Sequence, residues 1–203
     1  MKLLCNASEY SNLKEQTNKM VSLTLTDKQL CDLELLLNFG FYPLKGFLNQ
    51  EDYFSVLELM RLKTGQIWPI PINLDVTKKF AETLDIEQEI VLRDKEGFGL
   101  AILKIGSKWE VDKTQEAFSI YGTNDDSHPG VYYLKHYTRS MYIGGSLKGI
   151  MLPKHFDYPE LRMTPVDIKN KFKEMNWENG IAFQTRNPMH RAHVEIARKA
   201  SLE

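Results

Sequence analysis

A polar, proline-bearing segment from Pro153 to Pro159 divides the 203-residue sequence into two unequal parts. Proline lacks a backbone donor and interrupts both helices and strands, so a segment of this kind is typical of a linker. We predict one domain over residues 1–157 and the beginning of a second over residues 158–203. A domain of the first part's length can bury a core without disulfides or a structural metal.

The first part carries helix signals before Gln66 and mainly strand signals after it. Capping residues and apolar spacing predict helices from Thr26 to about Leu37 and from Asn49 towards Gly65. The elements predicted after Gln66 are a proline-interrupted edge strand to Val76, a hairpin of strands 89–93 and 98–103, a strand at 109–111, a helix at 113–119, strands at 131–134 and 141–143, and a turn at Gly144-Gly145.

The second part contains two helix patterns around one short apolar strand. Thr164 and Pro165 begin a helix that ends near Trp177, residues 180–184 predict a strand, and Asn187-Pro188 begins a helix pattern that runs to the end of the chain. One strand and two helices cannot form a doubly wound sheet, because a parallel strand needs neighbouring strands. These residues therefore predict only the beginning of an α/β domain.

The segment 183–193 places a strand end, a polar loop and a helix start within eleven residues. Unpaired N–H groups and the positive end of the helix dipole favour an anion at such a junction. Arg186 adds a planar guanidinium, and His190 and His193 lie on one face of the helix start. The segment predicts a phosphate or sulfate site. The alternative is a capped turn with two surface histidines and no ligand. The Gln-Thr-Arg-Asn-Pro run directly before the histidines favours the anion site over this alternative.

Composition narrows the class of protein. The chain has 26 Lys plus Arg and 27 Asp plus Glu, a net charge of −1, which argues against a dedicated nucleic-acid binder. Cys5 and Cys31 have no metal-ligand spacing and fit a reducing compartment. No signal-peptide pattern and no apolar run of about 18 residues is visible. We expect a cytoplasmic protein without membrane or nucleic-acid partners.

Two further patterns favour ordinary structural interpretations. Residues 123–130 contain two acids and a histidine, and we predict a polar turn there rather than a metal site. Tyr132, Tyr133, Tyr137 and Tyr142 could stack on nucleic-acid bases, but we predict that they are core residues or cross-strand pairs.

The run Gln184-Thr185-Arg186-Asn187-Pro188, followed by His190 and His193, resembles the signature of the ATP sulfurylase, or sulfate adenylyltransferase, family. Further segments resemble that family's N-terminal region in the same order, so the match spans about residues 40–200: 43–48, 59–62, 68–71, 92–94, 121–123, 128–131 and 153–162. Several matches in order are more specific than one short pattern. The resemblance is to an N-terminal portion that ends just after the motif.

The resemblance implies both a fold and a reaction. It implies an α+β, PUA-like and mostly β first domain, followed by the start of an α/β Rossmann-like nucleotidyltransferase domain. The family joins sulfate to the AMP part of ATP, with Mg²⁺ as the cofactor that accompanies ATP, and releases adenosine 5′-phosphosulfate and pyrophosphate. We therefore expect ATP and sulfate as partners, no metal ligands in the chain, and homo-oligomerisation as an open question.

The resemblance also implies roles for individual residues. Sulfate would be held by Gln184 and Arg186. The residues expected at ATP are Gln184, Thr185, Arg186, Asn187, His190 and His193, and those usually called catalytic are Thr185, Arg186 and Asn187.

Two other functions stay open at this point. A PUA-like domain alone could be a non-catalytic RNA-binding or protein-interaction module, and the chain could be a structural remnant that assembles with a full-length partner. Because the family's catalytic domain continues well past this motif, we expect the 203-residue chain alone to be inactive.

Overall fold

A computed structural model describes residues 3–202, and the chain divides into a first unit, Met1–Pro159, and a second unit, Glu160–Glu203. The predicted boundary after residue 157 lies close to this division. Within residues 3–202, no helix is both long and apolar enough to cross a membrane.

The first unit is built on a five-stranded sheet of order β1-β3-β4-β5-β2. The pair β1–β3 is parallel, and the other three pairs are antiparallel. Its strands are β1 (Ser22–Thr24), β2 (Leu74–Val76), β3 (Glu89–Arg93), β4 (Gly99–Glu110) and β5 (Met141–Gly149). The predicted edge strand is confirmed in position but limited to β2, since Pro69 and Pro71 cannot donate to a ladder.

Six α-helices belong to the described part of the first unit: α1 (Ala7–Gln16), α2 (Asp27–Leu37), α3 (Gln50–Leu59), α4 (Lys78–Glu82), α5 (Lys113–Tyr121) and α6 (Pro129–His136). The predicted helices that correspond to α2 and α5 are confirmed, and the one that corresponds to α3 is confirmed except that it ends at Leu59 and not near Gly65. A short 3₁₀ turn, Thr17–Lys19, follows α1. The sequence signals had not indicated α1, α4 or β1.

The helix α2 shows how one side chain can connect a cap to the sheet edge. Thr26 and Gln29 form a capping box, in which the Thr26 N–H donates to the Gln29 side-chain oxygen at 3.0 Å. The Gln29 side-chain N–H₂ donates to the Asp75 carboxylate on β2 at 2.7 Å. Gln29 is buried, so both ends of its amide are satisfied inside the protein. On the same helix, Leu33 and Leu36 are fully buried in the core.

Residues 131–134 form part of α6, so the prediction of a strand there was wrong. Pro129 occupies the first helical turn, and the His128 side chain accepts a hydrogen bond from the Gly130 N–H at 3.2 Å. Proline is well suited to the first turn of a helix because it has no N–H to leave unpaired. Three of the four tyrosines predicted as core residues are exposed on or just after α6, and only Tyr142 is buried.

Gly144 and Gly145 lie inside β5, so the predicted turn was also wrong. A Cβ atom on Gly144 would lie 1.9 Å from the Leu48 carbonyl oxygen, and one on Gly145 would lie 2.0 Å from the Lys104 carbonyl oxygen. These glycines allow backbones to approach closely rather than allowing a turn. Residues 109–111 do not form a separate strand either, because β4 continues to Glu110.

The first unit is therefore a mixed structure, in which more described residues lie in α-helices than in strands. The expectation of a mostly β domain was wrong in that respect. The predicted hairpin is confirmed: β3 pairs with β4, and Gly97 in the connection has φ = 90°.

The second unit has two α-helices in its described residues, α7 (Pro165–Glu174) and α8 (Arg191–Ala200), and the short 3₁₀ turn Pro159–Leu161 lies at the division between the units. The prediction of α7 is confirmed, with Thr164 and Asp167 as a capping box and Pro165 in the first turn. Residues 180–184 form no strand with any residue between 3 and 202, contrary to the prediction. The Rossmann-like character of this unit stays a prediction.

Candidate anion site before helix α8

The predicted site lies in the irregular segment that leads into α8. The helix begins at Arg191, later than the Asn187-Pro188 pair at which the sequence placed its start. A residue before proline disfavours the helical conformation, which keeps Asn187 outside the helix. His190 is the N-cap, with φ = −83° and ψ = 163°, so the backbone is extended at the last residue before the helix.

The Thr185 side chain closes a tight local turn with Asn187. Its hydroxyl donates to the Asn187 carbonyl oxygen at 3.0 Å and accepts from the Asn187 N–H at 3.1 Å. Both contacts join the hydroxyl to the backbone two residues later, as in turns formed by serine and threonine. The hydroxyl proton is thus engaged by the loop, and Arg186 lies at the bend between the two partners.

Arg186 is exposed and makes no hydrogen bond or ion pair with any other residue that the structure describes. Gln184 is exposed and equally without such a partner in residues 3–202. A guanidinium with five free donors can bind a tetrahedral oxyanion through two parallel hydrogen bonds. The residues from Gln184 to His190 are all exposed, so this segment is an open surface rather than a closed pocket.

The two histidines are in contact with each other at the start of α8. The His193 Nδ1 atom accepts a hydrogen bond from the His190 backbone N–H at 3.3 Å, and the ring centroids lie 5.5 Å apart. The Phe183 ring packs against the His193 ring, with 5.3 Å between centroids. His193 is half-buried, whereas His190 is exposed.

The structure therefore brings the predicted residues together in two small groups. Thr185, Arg186 and Asn187 share one turn, and His190 and His193 share one cap. The sequence analysis did not identify Phe183 as a contact of His193, although the aromatic residue stands directly before the motif. No cluster of three or more His, Cys, Asp or Glu side chains that could hold a metal occurs among the described residues.

Comparisons with known proteins cover both parts of the chain. Residues 1–152 match the PUA-like domain family, and residues 159–203 match the ATP-sulfurylase family. A sulfate adenylyltransferase of Kluyveromyces lactis is 47% identical over 198 residues, which are 97% of this chain and 39% of that protein. One of Saccharomyces cerevisiae is 44% identical over 188 residues, 93% of this chain and 37% of that protein.

A solved structure is similar along the whole chain. The hexameric APS kinase from Thiobacillus denitrificans has a TM-score of 0.78 and 28% identity, and the match covers 100% of this chain and 36% of that one. The chain thus spans less than two fifths of the length of each of these three proteins.

Proposed function

The chain belongs to the PUA-like domain family through residues 1–152, and from this premise and the ATP-sulfurylase match of residues 159–203 we propose that it forms part of a sulfate adenylyltransferase. The reaction joins sulfate to the α-phosphorus of ATP and releases pyrophosphate. The observation that carries this proposal is the 47% identity to a sulfate adenylyltransferase over 97% of the chain, which includes the segment from Gln184 to His193.

The chemistry of this reaction fits the groups at the site. Sulfate is fully ionised near neutral pH, so its oxygen can attack phosphorus without a general base. What the reaction needs is alignment of two anions and cancellation of their repulsion. The unpaired Arg186 guanidinium and the N–H groups at the start of α8 supply positive charge and donors of that kind.

We assign the roles as follows. Gln184 and Arg186 bind sulfate, while the ATP residues are Gln184, Thr185, Arg186, Asn187, His190 and His193. Of the three residues expected to be catalytic, Arg186 and Asn187 contact the reacting anions. Thr185, besides its place at ATP, holds the turn around Arg186, because its hydroxyl bonds both backbone groups of Asn187.

Magnesium would enter this site with ATP. Mg²⁺ is commonly held by substrate phosphates with few protein ligands and several waters, so a protein cage is not needed. When bound, the ion neutralises phosphate charge.

The RNA-binding alternative has less support. The aromatic side chains of α6, including Tyr132, are exposed and could stack on bases. However, the neighbouring basic side chains are paired, since Lys135 and His136 both contact the Asp126 carboxylate, at 2.6 and 2.9 Å. The affinity of a protein for the phosphate backbone of a nucleic acid depends on cationic side chains that are free to replace the counterions of the phosphates. We therefore propose ATP and sulfate, not RNA, as the partners, in the cytoplasm. A homo-oligomer is proposed separately, supported by the similar solved structure that is named as hexameric.

A chimera tests the proposed function. Residues 1–203 would replace the matching segment of the Kluyveromyces lactis protein, and sulfate-dependent release of pyrophosphate from MgATP would be measured. The chimera should turn over, and Arg186→Ala should lower its rate about 10²–10³-fold, as expected for loss of a donor at developing charge. The 203-residue chain alone should show no turnover.

The matched control is Arg198→Ala. Arg198 is an exposed arginine on α8 that pairs with Glu195 at 2.9 Å and lies outside the motif. This variant should keep the rate of the unmodified chimera. A folded chimera without activity, or an Arg186→Ala chimera with the full rate, would contradict the proposal.

A further inference from the structure

A small cavity in the first unit lies beside the buried side chain of Glu116, and we call it the Glu116 cavity. Its volume is about 80 Å³, which is large enough for a few non-hydrogen atoms and too small for a nucleotide. Ile70, Pro71 and Ile120 form an apolar part of its wall. A ligand of this cavity is therefore an ion or a very small molecule.

The Glu116 carboxylate has one oxygen without a hydrogen bond. Its Oε2 atom accepts the hydroxyls of Tyr53 and Tyr142, at 2.9 and 3.0 Å, whereas its Oε1 atom has no partner in residues 3–202. Glu116 is 5% exposed and lines the cavity. A buried acceptor costs free energy unless it meets a donor. The Oε1 atom is therefore an acceptor that is available to a ligand in the Glu116 cavity.

Asn73, just before β2, supplies a second acceptor. Its Oδ1 atom is buried without a hydrogen bond to any residue that the structure describes, and Asn73 lines the same cavity. The neighbouring Asp75 differs, because its carboxylate accepts from the Gln29 side chain at 2.7 Å and from the Arg139 backbone N–H at 2.9 Å. Two acceptors without donors favour a ligand that donates hydrogen bonds.

The Glu116 carboxylate also has no ion-pair partner within the described part of the chain. The Lys28 ammonium pairs with Asp32 at 2.6 Å, and the Lys113 ammonium donates to two backbone carbonyl oxygens at 2.6 and 3.2 Å. Burial raises the pKa of the Glu116 carboxyl, and the charges of these two lysines oppose only part of that rise. A cation inside the cavity would meet a carboxylate that neither lysine contacts.

We propose that the Glu116 cavity binds an ammonium ion, with the Glu116 Oε1 and Asn73 Oδ1 atoms as its acceptors. The ion is small, donates hydrogen bonds in several directions and carries a positive charge, so it matches both the free acceptors and the buried carboxylate. The side chains of Tyr121 and Tyr133 also line the cavity, and the faces of aromatic rings attract cations. This inference is independent of the proposed function, because it uses no residue of the second unit.

The first experiment compares chloride salts at equal concentration in thermal unfolding of the 203-residue chain. Ammonium should raise the unfolding midpoint by about 2 °C or more relative to sodium, potassium and tetramethylammonium, because a ligand that binds the native state stabilises it. Potassium is close to ammonium in size but has no N–H groups, and tetramethylammonium keeps the charge without them. An equal rise with potassium would overturn the proposal, since charge without N–H donors would then be sufficient.

Two glutamate variants locate the effect. Glu116→Gln removes the charge at the cavity and should abolish the rise that is specific to ammonium. Glu58→Gln is the matched control, because Glu58 is exposed on α3, and this variant should keep the rise. A full rise in folded Glu116→Gln protein would refute the inference.

A second experiment needs no variant to fold. In the unmodified chain with ¹⁵N-labelled ammonium, the ammonium protons should show nuclear Overhauser effects to the ring protons of Tyr121 and Tyr142, which both line the cavity. Absence of these effects at the ammonium concentration of the unfolding experiment would mean that only water enters the cavity, and the proposal would be wrong.

Discussion

The Tyr53 hydroxyl donates a hydrogen bond of 2.9 Å to the Glu116 Oε2 atom inside the first unit. Tyr53 is 1% exposed and Glu116 is 5% exposed. Tyr142 donates to the same oxygen at 3.0 Å, and the Tyr53 and Tyr142 rings meet edge to face with 5.7 Å between centroids. A single carboxylate thereby joins α3, α5 and β5, the last of which lies between β4 and the edge strand β2.

The first prediction concerns these two donors. Tyr53→Phe and Tyr142→Phe keep the rings but leave the buried Glu116 oxygen with one donor fewer. Each substitution should lower the free energy of unfolding by about 1–3 kcal/mol, measured by urea denaturation. Tyr137→Phe, at an exposed position, should change it by less than about 0.5 kcal/mol. Equal losses in all three variants would show that the hydrogen bonds to Glu116 are not the cause.

The second prediction is a pH dependence that belongs to Glu116. Burial raises the pKa of its carboxyl above the ordinary value of 4.5, and the hydrogen bonds from Tyr53 and Tyr142 oppose part of that rise. The native state thus binds this proton more tightly than the unfolded state. Its contribution to stability is complete below the ordinary pKa and is lost as the pH rises through the raised pKa.

Comparison with Glu116→Gln isolates this effect from the other carboxyls. The free energy of unfolding of the glutamine variant minus that of the unmodified protein should become more positive as the pH rises above 4.5, the ordinary value for glutamate. Urea denaturation at a series of pH values measures the difference. A difference that falls with rising pH would mean that the folded protein lowers the pKa of Glu116.

The sequence predicted the helices and strands that are determined by capping residues and apolar spacing within the element itself. The helix α2 has an N-cap, a capping box and apolar residues at helical spacing, and it formed where these features placed it. The resemblance to the ATP-sulfurylase family, which rests on the order of several motifs, is also supported by the match of that family to residues 159–203. The prediction of a strand in place of the helix α6 rested on its tyrosines, which favour strands. The N-cap His128 and the proline in the first turn, Pro129, are the signals in the sequence that indicate a helix there.

The contacts between distant segments could not be predicted in this way. Gly144 pairs with β4 as part of a strand, and its lack of a side chain lets the Leu48 backbone pass close to it, an approach that no neighbour in sequence reveals. At the candidate site the residue types were predicted, but not how they pair. The Thr185 turn and the His193 cap depend on where the helix begins, and helix ends are the least certain part of a prediction from sequence.

The third prediction tests the close approach at β5. Gly144→Ala and Gly145→Ala would place a methyl group within 2.0 Å of a carbonyl oxygen, where no side chain can rotate away. Each variant should lose about 3 kcal/mol of unfolding free energy, or fail to fold. Ser146→Ala is the control, since Ser146 is the exposed next residue of the same strand. Alanine variants of normal stability would mean that the Leu48 and Lys104 backbones can move away from β5.

The fourth prediction concerns the role of Thr185 in the chimeric enzyme. Thr185→Val keeps the shape of the side chain but removes the hydroxyl that joins it to both backbone groups of Asn187. Since the turn sets the position of Arg186, which we also assign to sulfate, kcat should fall about 10²-fold, as expected when a group is misplaced by about 1 Å, and the KM for sulfate should rise.

Thr185→Ser restores the hydroxyl and should bring kcat back to within a few fold of the unmodified chimera. This pair distinguishes positioning from packing, because valine preserves the volume of threonine and serine preserves its hydrogen bonds. If the serine variant is as slow as the valine variant, the Thr185 methyl group rather than its hydroxyl supports the loop. If the valine variant keeps full activity, the bend at Arg186 does not depend on the Thr185 turn.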